Sequence, residues 1–69
     1  MSVEVMIGVI KMFDRENGRG VIAPKSPGKD EKDLYFATEE KSRFRQGQLV
    51  KFSKEGSRAI DVAVLSETY

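Results

Sequence analysis

The 69-residue chain holds no histidine and no cysteine, so the side chains able to do chemistry are eleven carboxylates, twelve lysines and arginines, and six aromatic rings. The missing types exclude disulfides, zinc ribbons, thiol nucleophiles and imidazole acid–base catalysis. The carboxylates lie in loops and turns without a recognisable spacing, and no nucleophile–base pair can be assembled, so neither an enzyme nor a cofactor or metal is expected. What remains is recognition by charge, stacking and apolar contact. The stretch "ENGRGVIAP", residues 16–24, sets Arg19 between Gly18 and Gly20. A dinucleotide loop needs its glycines to open a helix, and a Walker loop must end in Gly-Lys-Ser/Thr. Neither condition is met.

These residues need elements to position them, and the pattern is that of strands. No window shows a sustained 3.6-residue apolar period. The first strand is expected over Val3–Phe13, rich in β-branched residues and apolar at both parities, with Gly8 as its natural bulge or bend. Asn17 and Gly18 give a hairpin signal. A second strand over Gly18–Ala23 stops at Pro24, and residues 25–33 read as a loop. A third strand, Leu34–Thr38, puts Leu34 and Phe36 on one face and Tyr35 and Ala37 on the other. Residues 39–47 form a connection with room for one helical turn and with Phe44 as its core anchor. Strand four, Gln48–Ser53, buries Val50 and Phe52; after a turn at "KEGS", strand five from Arg58 to about Leu65 buries Ile60, Val62 and Val64. Five short strands in one small domain, residues 1–69, suit an all-β, five-stranded antiparallel OB-type barrel, since closure removes exposed edges.

Charge is nearly balanced, at a net +1, but unevenly placed. Residues 41–58 hold six bases against one acid, and residues 30–40 hold five acids against one lysine. Arg43, Arg45, Lys51, Lys54 and Arg58 therefore either extend a basic path for phosphates or are ordinary solvated surface. No apolar run approaches the ~20 residues of a membrane span, and "MSVEV" lacks the regions of a signal peptide. A cytoplasmic protein without membrane contact is the expectation.

The segment "GVIKMFDRENGRGVIAP" resembles the opening of the bacterial cold-shock domain, with matches at Gly8, Ile10, Lys11, Phe13, Gly18, Gly20, Ile22 and Pro24. "DLYF", Asp33 to Phe36, is similar to the family's second motif, and "GQLVKF" and "AIDV" look like its fourth and fifth strands. The resemblance covers nearly the whole chain. It implies a barrel that binds single-stranded RNA and DNA by stacking bases on an aromatic platform supported by basic residues; RNA is the ligand expected here ahead of DNA, and a monomer is the expected state.

Carried over residue by residue, the resemblance assigns the binding face to Lys11, Met12, Phe13, Arg19, Val21, Asp33 and Tyr35, and Arg58 of the basic path joins them as a candidate phosphate contact. Much of the platform is changed: Met12 stands for tryptophan, Arg19 and Val21 for phenylalanines, Ala37 for histidine and Thr38 for phenylalanine. Each base–aromatic stack contributes roughly 1–3 kcal/mol, so these losses remove on the order of 5 kcal/mol. A guanidinium at Arg19 and the polarizable thioether of Met12 restore part of it. Weak binding with little sequence preference is one expectation. The other is a protein-interaction module, with Met12, Val21, Ala37 and Tyr35 as a small apolar patch rimmed by charge.

Overall fold

A computed structural model, which describes residues 4–25 and 32–68, contains five strands and no helix. They are β1 (Glu4–Asp14), β2 (Arg19–Pro24), β3 (Leu34–Ala37), β4 (Leu49–Glu55) and β5 (Arg58–Ser66). Their order is β1-β2-β3-β5-β4, closed into a barrel by the pairing of β4 with β1. The all-β five-stranded barrel is as the sequence implies, but it is not wholly antiparallel. β3 and β5 run parallel and pair at a single position, Tyr35 with Arg58. Val3 and most of the expected loop 25–33 lie outside the described residues.

Alternation selects the core. Along β1 the even positions Met6 and Ile10 point inward, and Ile22, Leu34, Phe36, Val50 and Phe52 join them from β2, β3 and β4. Phe44 reaches in from the β3–β4 connection, which has turns but no helical turn. Phe13, Phe36 and Phe44 form a three-ring cluster with centroids 5.5–6.0 Å apart, inside the range of favourable aromatic pairing.

Bulges decide which residues face out. β1 carries its bulge at Lys11, between the pairs Ile10–Ile22 and Met12–Val21, and not at Gly8. Gly8 instead serves a close approach: a Cβ there would stand 2.6 Å from Ile22 Cγ2 and 2.8 Å from the Ala23 carbonyl oxygen. The extra residue inverts the parity of β1, so Met12 turns outward and Phe13 toward the core. A second bulge lies in β5, where Asp61 and Val62 together face Phe52 between the pairs Ser53–Ile60 and Lys51–Ala63. Asp61 takes φ of 53°, a left-handed conformation that aspartate tolerates better than most residues. This shifts the inward set of β5 from the expected Ile60 to Ala59, which is buried; Val62 and Val64 are half-buried against the core, and Ile60 is half-buried.

Two hairpins frame the barrel. Between β1 and β2 the loop has four residues, 15–18, and only Gly18 has positive φ, at 68°. Asn17 is therefore not half of a two-residue turn. Its side-chain amide donates to Asp14 Oδ2 at 2.7 Å, while Asp14 Oδ1 accepts from the backbone of Glu16 at 3.0 Å. The tight hairpin is the later one, where Gly56 and Ser57 alone join the paired residues Glu55 and Arg58, with Gly56 at φ 66°.

Gln48 is the one fully buried polar side chain among the described residues, and the sequence pattern does not single it out. Its Oε1 accepts from the Arg45 backbone at 2.8 Å, and its Nε2 donates to the Arg43 carbonyl at 3.1 Å and to Glu67 Oε1 at 2.9 Å. The backbone on either side bonds to β1, with Gly47 N–H donating to the Ile10 carbonyl and Ile10 N–H to that of Gln48. Gln48 thus fastens the β3–β4 connection to Glu67, just past β5, while the backbone around it is tied to β1 at Ile10.

Candidate functional site

Three strand pairings join in one register. Met12 pairs with Val21, Val21 with Tyr35, and Tyr35 with Arg58. Paired residues in neighbouring strands point to the same side of a sheet. These four side chains therefore form one row across β1, β2, β3 and β5 on the outside of the barrel, with Tyr35 61% and Met12 54% exposed. The next row toward the β1–β2 loop holds Asp14, Arg19 and Ala37. On the other side Lys11 reaches Asp33, with Nζ 2.8 Å from Oδ2.

Seven of the eight residues assigned from the sequence thus share one exposed face: Lys11, Met12, Arg19, Val21, Asp33, Tyr35 and Arg58. Phe13 stands apart. Its ring stacks on Phe36 at 5.8 Å with 15° between planes and leans on Phe44, which places it at the rim of the core. The Lys11 bulge accounts for both results, since without it Met12 would point inward and Phe13 outward.

Gly20 is needed beneath this face. A Cβ there would lie 2.5 Å from Phe36 Cε1 and 2.9 Å from the Met12 carbonyl oxygen, so the inward position of β2 between Arg19 and Val21 has no room for a side chain. Gly18 is fixed by its positive φ and by the Thr38 carbonyl, into which a Cβ would run. The two glycines hold Arg19 at the start of β2.

Electrostatics divide the face into paired and unpaired charges. Asp33 raises the pKa of Lys11, first by its hydrogen bond and then by its charge. The Asp14 carboxyl sits below its usual value, chiefly because the Asn17 amide donates to it; backbone N–H groups of the loop and the charge of Arg19 add to this, and partial desolvation opposes it. Arg58 takes part in no ion pair among the described residues.

Past the Tyr35–Arg58 pair, β3 and β5 separate. An open groove of about 770 Å³ lies between them; its lining includes Tyr35, Phe36 and Phe44, the basic Arg19 and Arg58, and the acidic Glu40 and Asp61. Sequence reasoning did not find this groove, because it depends on how soon two strands distant in the chain part company. Among the described residues, no group of three or more acidic, histidine or cysteine side chains is gathered to hold a metal ion, and no helix is long and apolar enough to cross a membrane. No family model, curated protein or solved structure matches the chain.

Proposed function

We infer that this chain is a divergent cold-shock-like domain that binds single-stranded nucleic acid, RNA ahead of DNA, weakly and with little sequence preference. The observation that carries the reading is the row Met12–Val21–Tyr35–Arg58, in which one exposed tyrosine ring is flanked by an apolar surface and a guanidinium that is in no ion pair among the described residues. A base stacks on Tyr35, a contribution of roughly 1–3 kcal/mol that does not depend on which base it is. On this reading Arg58 and Arg19, which line the groove together with Tyr35, pair with the phosphates. The site size is short because one aromatic platform remains, and modest affinity follows.

Titration of the protein with oligopyrimidine and mixed-sequence RNA and DNA strands at low salt tests this. The chain has two tyrosines and no tryptophan, so quenching of tyrosine emission and its loss in Tyr35→Phe or Tyr35→Ala report on the ring directly. Saturable, salt-sensitive binding is the expected result; none below the millimolar range would remove the reading.

A second reading draws on Met12, which is more than half exposed beside the half-buried Val21. On this reading the same face docks a protein chain. A partner lost on Met12→Asp, with oligonucleotide affinity unchanged, would favour it.

A further inference from the structure

The Lys11–Asp33 pair spans a strand. Lys11 is the bulged residue of β1, Asp33 immediately precedes β3, and β2 runs between them. Neighbouring strands lie about 4.8 Å apart, so the bridge crosses roughly 9.6 Å of sheet, which only an extended lysine spans. It passes over β2 next to the row that holds Val21 and Tyr35. The ammonium nearest Met12 is thus already engaged by a carboxylate on the same face.

Resting on the nucleic-acid reading above, we propose that Asp33 is an internal competitor for the Lys11 ammonium, a strap across β2 that an incoming phosphate must displace. The geometry suits exchange. Both side chains are solvated, and an exposed ion pair is held weakly enough to be opened. An exposed lysine is protonated at neutral pH with or without a partner, so the ammonium is available whenever Asp33 lets go. Once displaced, Asp33 is left as a bare carboxylate close to the new phosphate, and that repulsion limits the gain. The bulge makes the competition local to this pair: it adds one outward residue to β1 at the point where the lysine reaches the far side of β2.

The test compares four proteins: the unaltered chain, Asp33→Asn, Lys11→Met, and the two substitutions together. Each is titrated with an oligouridine RNA and, separately, with inorganic tripolyphosphate, with the Lys11 backbone amide followed by NMR. Asp33→Asn is expected to tighten RNA binding about two- to five-fold, the range spanned by exposed ion pairs. It should also steepen the dependence of log K on log salt by about 0.7, one phosphate contact on a single strand. In the Lys11→Met background the gain should vanish. Tripolyphosphate should move the Lys11 signal at lower concentration in Asp33→Asn than in the unaltered chain.

Weaker RNA binding in Asp33→Asn would overturn the proposal, since Asp33 would then be a ligand contact. A gain that persists undiminished without Lys11 would also overturn it, by showing simple repulsion. If no protein binds RNA but the tripolyphosphate response still depends on Asp33, the strap stands and the nucleic-acid reading fails. If neither probe distinguishes Asp33→Asn, the strap is refuted. Asp33→Ser repeats each comparison should Asp33→Asn fold poorly.

Discussion

Tyr35 and Arg58 carry most of the recognition in this account, and they do so in different ways. Tyr35→Ala removes a stacking surface and should cost roughly 1–3 kcal/mol of affinity, about 5- to 150-fold, with little change in the salt slope. Arg58→Ala should weaken binding less and reduce that slope by about 0.7; the two are separated by titrating at several salt concentrations. Asp14 offers a test of the loop. Its folded pKa lies below the ordinary 3.8, so the stability it contributes is present above pH 3.8 and is lost as pH falls through the depressed value. Following the Asp14 carboxyl by NMR should show a midpoint below 3.8, and Asn17→Ala, which removes the first cause of the shift, should bring it back up. No recovery in Asn17→Ala would mean that another group holds the carboxylate.

At the scale of elements, bulges and close approaches do what residue types alone do not announce. Gly20→Ala should destabilise the barrel by about 1–3 kcal/mol in chemical denaturation, because the methyl must displace the Phe36 ring or the β1 backbone. Asp61→Gly should be tolerated, whereas Asp61→Val, a β-branched residue forced to positive φ, should cost about 1–2 kcal/mol. Gln48→Ala strands the Arg45 N–H and the Arg43 carbonyl and should cost about 1–3 kcal/mol. The five strands and most of the core were legible because alternation is a local signal, and Ile10, Ile22, Leu34, Phe36, Val50 and Phe52 follow it. The positions of the bulges were not. Lys11 and Asp61 each invert a strand's parity through pairing with a partner strand, so Phe13 turns inward and Ala59 replaces Ile60 in the core. Gln48 escaped notice because apolar alternation carries no signal for a buried amide: two of its partners are backbone groups of Arg45 and Arg43 in an irregular connection, and the third, Glu67, is distant in the chain.

In the molecule as a whole, closure brings residues 12, 21, 35 and 58, spread over most of the chain, into one line. The sequence pattern named all four, but as motif matches and a basic path; their order across the barrel follows from the register and from the parallel β3–β5 pair. Outside this row, Val5 and Ile7 of β1 and Leu65 of β5 are also exposed. The central claim, that the Met12–Val21–Tyr35–Arg58 row is a surface for single-stranded nucleic acid, is tested most directly by an NMR titration of the isotope-labelled chain with a short oligouridine RNA at low salt. The account predicts saturable shifts at Met12, Val21, Tyr35 and Arg58, with Arg19 following and Val5, Ile7 and Leu65 unmoved. Shifts confined to Val5, Ile7 and Leu65 or to residues 41–55, or no shift at the row, would contradict it.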